Sequence, residues 1–280
     1  MTRATMEDRE MGVKETVREH YGKVGRGEAG GCAPSGCCGP GPDVSRALGY
    51  SDDDLASVPE GANLGLGCGN PQAIAALEPG ETVLDLGSGG GFDCFLAAKQ
   101  VGPEGRVIGV DMTPDMVSRA RANAAKMGTG NVEFRIGEIE HLPVADGAVD
   151  VILSNCVINL APDKERVYRE AFRVLRPGGR LAISDVVALA PMPEALRDDV
   201  AALTGCVAGA ARVDEIEDIL ARAGYVDVRV QVQEESREVV AQWLPGSGAE
   251  RYVASARIEA RKPAETDCCT PSRRGGKEAG

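Results

Sequence analysis

Histidine is nearly absent from this 280-residue chain. His20 and His141 are the only two, so chemistry built on an imidazole base has little to draw on. Aromatic residues make up 4% of the chain, with a single tryptophan, which counts against a broad aromatic-lined pocket for an organic substrate. Positive charge is in deficit: 31 Lys and Arg against 43 Asp and Glu leave a net charge of -12. Nucleic acid and anionic membranes select basic surfaces, so neither is expected as a partner. No apolar run approaches a membrane span, and the polar start from Met1 to Asp8 lacks the apolar centre of a signal peptide. A cytoplasmic location with reduced thiols is therefore the expectation.

Cysteine, by contrast, is plentiful: the chain has nine. In a reducing compartment such a number points to metal, metalloid or redox chemistry rather than to a disulfide framework. The chain carries no C-x-x-C pair, and the C-x4-C-C run of Cys32, Cys37 and Cys38 is not a zinc spacing. Cys156 stands out. It follows the apolar run Val149–Ser154, which reads as a strand, and so falls at a strand's carboxyl end, where ligands bind in open α/β sheets.

Periodicity predicts a helix over residues 9–24, then a Gly-, Pro- and Cys-rich loop over 25–42, and a short helix near Ser45–Leu55. A loop at 61–71 carries Cys68 between Gly67 and Gly69 and leads to a helix near Gln72–Ala76. Strands are then expected at Thr82–Leu86, Arg106–Asp111, Val132–Ile136, Val149–Ser154 and Arg180–Ser184. They alternate with helices at Phe92–Val101, Thr113–Met127 and Asp163–Val174. Such alternation implies βαβ units and a parallel sheet. After residue 190 the rhythm changes: helices at Glu194–Leu203 and Asp214–Ala223, then strands at Val226–Val232 and Tyr252–Ala260. The expected organisation is an N-terminal helix and Cys-rich loop (1–60), a nucleotide-binding domain (61–190), a cap with the last strands (191–262) and a disordered tail (263–280) holding Cys268 and Cys269.

The segment Asp85-Leu86-Gly87-Ser88-Gly89-Gly90-Gly91-Phe92 joins the first of these strands to its helix, and Asp111 closes the next strand. Glycines there let the backbone turn tightly and approach a ligand, and a carboxylate at the second strand end accepts ribose hydroxyls. Phe92 stands where a dinucleotide fingerprint has glycine or alanine. Residues 60–190 resemble instead the class I S-adenosylmethionine-dependent methyltransferases. The resemblance implies a Rossmann-like, mostly parallel α/β sheet with an antiparallel final strand and a substrate-binding cap. It also implies S-adenosylmethionine as cofactor, contacted by Asp85, Gly87, Ser88, Gly89 and Gly91 at the loop, Asp111 and Met112 at the ribose and adenine, Glu138 and Ile139 at the adenine, and Asn155.

Taken with Cys68, three further motifs carry a more specific likeness: Ser154-Asn155-Cys156-Val157-Ile158-Asn159-Leu160, Gly205-Cys206-Val207-Ala208-Gly209-Ala210, and Tyr21-Gly22. Nearly the whole chain resembles the arsenite methyltransferases. The resemblance implies Cys156 and Cys206 as ligands of the trivalent arsenic substrate. Cys68 matches a third cysteine, and one of Cys32, Cys37 and Cys38 a fourth, linked to thiol–disulfide steps. It further implies methylation of arsenite for detoxification, no permanent metal, a monomer, and thioredoxin or glutathione as reductant. Cys94 reads as a packing residue, and Cys268-Cys269 as a thiol pair in the tail.

Soft arsenic fits thiolate ligands. Its lone pair attacks a methyl group without losing a proton, so no general base is needed. Ligand thiols must deprotonate, so arsenic capture is expected to strengthen with pH. The alternative reading is a methyltransferase for an organic molecule such as a quinone, and a third is a thiol protein that only sequesters metalloid.

Overall fold

The computed structural model describes residues 6–28 and 42–264. Helix α1 (Met6–Arg26) opens the chain, followed by the short helices α2 (Pro42–Ala47), α3 (Asp52–Ala56) and α4 (Gln72–Ala75). The regular part comprises β1 (Thr82–Leu86), α5 (Phe92–Val101), β2 (Arg106–Asp111), α6 (Pro114–Met127), β3 (Val132–Ile136), β4 (Val149–Asn155), α7 (Lys164–Val174) and β5 (Leu175–Ala188). Beyond it lie α8 (Glu194–Arg197), α9 (Val200–Thr204), the two-residue β6 (Ala211–Arg212), α10 (Val213–Ala223), β7 (Val226–Gln233), α11 (Arg237–Trp243) and β8 (Val253–Arg261).

The strands form one sheet in the order β3-β2-β1-β4-β5-β8-β7, with β6 on β5. The pairings β1–β2, β1–β4, β2–β3 and β4–β5 are parallel, whereas β8 runs antiparallel to both neighbours. This is the expected mostly parallel sheet with an antiparallel final strand. The central strands are apolar on both faces because helices cover both. Phe95 and Ala98 of α5 and Val117 of α6 pack under Val83, Val107 and Leu153 on one side. On the other, Val167, Tyr168 and Ala171 of α7 and Ile216, Ile219 and Leu220 of α10 meet Leu84, Ile108 and Ile152. Their i, i+3, i+4 spacing turns one stripe of each helix inward. Gly224 ends α10 in a left-handed conformation, φ 97°.

Four local expectations change. The helix expected near Ser45–Leu55 is broken at Gly49, φ 95°, and Ser51 caps α3 through a reciprocal bond with Asp54. The helix expected over Glu194–Leu203 is two helices, because Asp199 accepts from the Ala201 and Ala202 N–H groups and starts α9. Strand β5 begins at Leu175, not Arg180, with the Arg176–Gly179 turn taken up as a slip in its register with β4. Helix α10 starts at Val213, one residue before the expected Asp214, which lies in its first turn near the Arg212 cap. Helix α11 and strand β6 were not anticipated. No helix among the described residues is long and apolar enough to cross a membrane.

Strand order reverses between β1 and β4, and their carboxyl ends open one crevice. A third apolar cluster gathers there, from α1 (Val17), α9 (Ala202), α11 (Val240, Trp243) and β5 (Val186), around Cys68, Cys156 and Cys206.

Candidate active site

The loop after β1 is held by its backbone. The Gly87 and Ser88 N–H groups donate to the Val110 carbonyl at 2.8 and 3.0 Å. The Asp111 carboxylate receives the Gly89 N–H on one oxygen, at 3.0 Å, and the Thr113 N–H on the other, at 2.8 Å. One side chain thus ties the glycine loop to the end of β2, and each oxygen keeps a lone pair. Burial raises the pKa of Asp111, against these two N–H bonds. Gly87 holds φ 67°, and a Cβ there would lie 2.4 Å from Val157. Open space surrounds a Cβ at Gly89, φ 51°.

A cleft lies over this loop. Gly87, Gly89, Asp111, Met112, Ile139 and Asn155 line it. Asp85 and Ser88 line an adjoining hollow. The Ser88 hydroxyl is buried with no hydrogen-bond partner, a donor without an acceptor. These residues fit S-adenosylmethionine: Asp111 offers oxygens to a ribose diol, Met112 and Ile139 give apolar walls to an adenine, and the orphan Ser88 hydroxyl and open Gly89 suit the amino-acid half.

Two expected contacts stand elsewhere. Gly91 does not line the cleft. Its φ is 92°, and a Cβ would lie 2.8 Å from both Phe134 and Phe95, so it serves close packing at the start of α5. Glu138 is not among the residues lining the cleft and pairs with Lys14 at 2.7 Å and Arg18 at 3.4 Å. Glu140 lines the cleft instead, paired with Lys14 at 3.0 Å. Neither His20 nor His141 lines it.

Three reduced, buried thiols meet beside the cleft. The sulfurs of Cys68 and Cys156 and a carboxylate oxygen of Asp185 all lie within 4.8 Å of one another. Cys206 touches Cys156, and its thiol donates to the Cys156 carbonyl at 2.6 Å. Cys156 and Cys206 both hold left-handed backbone, φ 61° and 62°, a conformation non-glycine residues rarely take. Cys156 lines this cleft and also a smaller cavity shared with Cys206, Tyr21 and Trp243.

The thiols sit in a low-dielectric setting. Burial pushes the Cys68 thiol up to about 11 and the Cys156 thiol well above its ordinary value. Contact with Cys156 favours the Cys206 anion, but burial and the charge of Asp185 outweigh it and raise that thiol too. Asp185, only 3% exposed, is raised to about 6 by burial, against N–H bonds from Val186 and Ile158 and the nearby Lys164. Asp185 and Trp243 had no motif to mark them for the site, and Tyr21 stood in a motif of the resemblance without a role in the site assigned to it. An acid at the carboxyl end of β5 was the one available signal for Asp185.

Asn155 does more than line the cleft. Its Oδ1 accepts the Cys68 N–H at 3.0 Å, and its Nδ2 donates to the Gly69 carbonyl at 2.9 Å. The same Nδ2 lies 3.1 Å from the Tyr50 hydroxyl and 3.3 Å from Asp93. Gly67 and Gly69 are needed for this approach: a Cβ on Gly67 would lie 2.6 Å from Asn155, and one on Gly69 2.9 Å from Ser184. Likewise a Cβ on Gly209 would lie 2.0 Å from the Asn159 carbonyl, so the Cys206 segment rests directly on the turn after Cys156. Cys94 is apart from the cluster, buried in α5 with its thiol donating to Asp85 at 3.2 Å. Cys32, Cys37, Cys38, Cys268 and Cys269 lie outside the described residues.

Residues 77–224 match the sequence pattern of the methyltransferase domain family. An arsenite methyltransferase of Halobacterium salinarum is 54% identical over 268 residues, covering 95% of this chain and 68% of that protein. One from Aquipseudomonas alcaligenes is 42% identical, covering 78% of this chain and 63% of that protein. The chain thus spans about two thirds of the length of these relatives. Among solved structures, CrArsM, an arsenic (III) S-adenosylmethionine methyltransferase from Chlamydomonas reinhardtii, superposes with a TM-score of 0.55 at 35% identity, covering 79% of this chain and 73% of that one.

Proposed function

Because the chain belongs to the arsenite methyltransferases within the S-adenosylmethionine-dependent methyltransferases, we propose that it methylates trivalent arsenic held by Cys68, Cys156 and Cys206. The observation that carries this reading is the placing of Cys156 in the wall of both the cofactor cleft and the thiol cavity. A soft centre bound there faces the cleft without crossing the protein interior.

Bound S-adenosylmethionine supplies a methyl group on a sulfonium. Arsenite binds by exchanging hydroxides for thiols: each As–S bond forms as an As–O bond breaks, and the thiol proton leaves with the hydroxide as water. This exchange releases no net proton, so with thiols that burial keeps protonated the expected strengthening of capture with pH does not follow from it. The arsenic lone pair then takes the methyl, an As–C bond replacing the carbon–sulfonium bond. Alignment is the protein's main contribution, and good orientation supplies about 7–11 kcal/mol of such a barrier.

Arsenic that accepts a methyl cation goes from trivalent to pentavalent, and two electrons restore it. We assign that supply to disulfide formation among the remaining cysteines, with Cys32, Cys37 and Cys38 as the candidates and thioredoxin or glutathione as the final donor, in a cytoplasmic monomer. Product speciation tests the reading: purified protein, S-adenosylmethionine, arsenite and thiol reductant should yield methylated arsenic. The absence of any methylarsenical would overturn it.

A further inference from the structure

We propose that Tyr21 couples the two halves of the site, so that cofactor in the cleft tightens the hold of the thiols on arsenic. The inference rests on the arsenite methyltransferase reading and goes beyond it.

Helix α1 lies across both half-sites. Lys14, Val17 and Tyr21 line the cofactor cleft, and Tyr21 also lines the thiol cavity. Each part of the helix is fixed by a different partner. Lys14 reaches Glu138 and Glu140, beside the adenine wall. At the other end Arg26 pairs with Asp115 of α6 at 2.6 Å. Gly25 makes that seat possible: a Cβ there would lie 2.9 Å from the Asp115 Cβ. Asp115 follows Asp111, Met112 and Thr113, so α1 sits on the very segment that receives the nucleoside.

Between these anchors the Tyr21 hydroxyl donates to the Thr204 carbonyl at 2.8 Å. Thr204 ends α9, two residues before Cys206. The Cys206 N–H turns back to Leu203, and its backbone is left-handed. The Thr204 carbonyl therefore belongs to the short turn that presents the Cys206 thiol. A nucleoside pressed against Val17 and Tyr21 fixes α1, and the hydroxyl carries that order to the turn holding Cys206. Binding that orders a shared element favours the second ligand at no further ordering cost. The coupling is reciprocal: arsenite must tighten the cofactor by the same factor.

The test uses the full chain, with S-adenosylhomocysteine as an unreactive occupant of the cleft and arsenite as the second ligand. Trp243, the only tryptophan, lines the thiol cavity and reports arsenite by its fluorescence. For the unaltered protein, S-adenosylhomocysteine should lower the arsenite dissociation constant about fivefold or more, the lower end of measured couplings. Tyr21→Phe removes only the hydroxyl. It should bring that ratio to about one, whatever the change in arsenite affinity without cofactor. Lys14→Gln, which releases α1 at its other end, should shrink the ratio as well. Equal ratios in the unaltered protein and Tyr21→Phe overturn the proposal, as does a ratio of one in the unaltered protein. Failure of the unaltered protein to bind arsenite or S-adenosylhomocysteine at all would instead overturn the functional reading.

Discussion

The Cys206 thiol donates to the Cys156 carbonyl at 2.6 Å, and both residues hold left-handed backbone. Two strained turns, one after β4 and one after α9, therefore face each other and bring their sulfurs together. Strain of this kind costs about 1–3 kcal/mol per residue and persists only where the surroundings enforce it. Here the enforcement comes from Asn159, which donates to Asp185 at 2.9 Å and to the Val186 carbonyl at 2.6 Å, and whose own carbonyl carries Gly209.

Cys156→Ser and Cys206→Ser should each lower arsenite methylation by more than the roughly 10- to 100-fold that loss of an outer-shell partner costs a metal site. A serine oxygen is hard where arsenic prefers soft sulfur. The dissociation constant for S-adenosylmethionine, measured by calorimetry, should stay near its original value. Full turnover with either serine would remove that cysteine from the ligand set. Cys94→Ala should keep its turnover, since Cys94 bonds only to Asp85 among the groups near the cleft.

Asn155→Ala should act on arsenite through Cys68. The substitution leaves the Cys68 N–H without its acceptor and the Gly69 carbonyl without its donor. An unpaired buried polar group costs about 1–3 kcal/mol, so the Cys68 loop should loosen. The expected signature is a KM for arsenite raised about tenfold or more, the equivalent of that cost, with the KM for S-adenosylmethionine moved far less. A change confined to the cofactor would show that Asn155 serves only as cleft wall.

Much of this architecture is legible in the sequence. Runs such as Val149–Leu153 read as fully buried strands because both faces of the sheet are covered, and the glycine loop with Asp111 has few other uses. Cys156 stood out because it falls at a strand's carboxyl end, and Cys206 through the resemblance that its Gly205–Ala210 motif carries. The hidden parts depend on which way a turn faces. Glu138 and Glu140 are two residues apart, and only the fold shows that α1 pairs Glu138 with Arg18 while Glu140 lines the cleft. Tyr21 lies 183 residues from its partner Thr204, a pairing that no local pattern encodes. Trp243 was missed with its helix, whose seven residues are too few for a helical period to show.

Asp111→Asn should weaken S-adenosylmethionine selectively. The amide replaces one acceptor oxygen with a donor, and that nitrogen must face either the Gly89 or the Thr113 N–H. Hydrogen bonds to charged groups contribute about 1.5–3 kcal/mol each, which corresponds to a dissociation constant higher by roughly 10- to 150-fold. Calorimetry with S-adenosylhomocysteine measures this directly. An unchanged affinity would mean that Asp111 only holds the loop and does not meet the ribose.

Beneath the glycine loop two buried carboxylates, Asp85 and Asp93, face each other, and they fix the last expectation. Asp93 accepts from Tyr50 at 2.8 Å and also from Asn155 and Gln72, three donors that favour its charge. Asp85 has only the Cys94 thiol. Burial, and then repulsion from Asp93, raise Asp85 well above its ordinary value. Burial raises Asp93 too, but against these three donors, so Asp85 is the group the surroundings favour for the proton. An acid raised in the fold binds its proton more tightly there than in the unfolded chain, where its pKa is about 3.9. Stability conferred by Asp85 is thus present at low pH and is lost as pH rises from about 4 through the raised folded value, by up to about 1.4 kcal/mol per unit. Asp85→Asn is neutral at every pH and keeps an oxygen for Cys94. The melting temperature of the variant should gain on the original protein as pH rises from about 4. Parallel melting curves over that rise would show that the proton sits elsewhere.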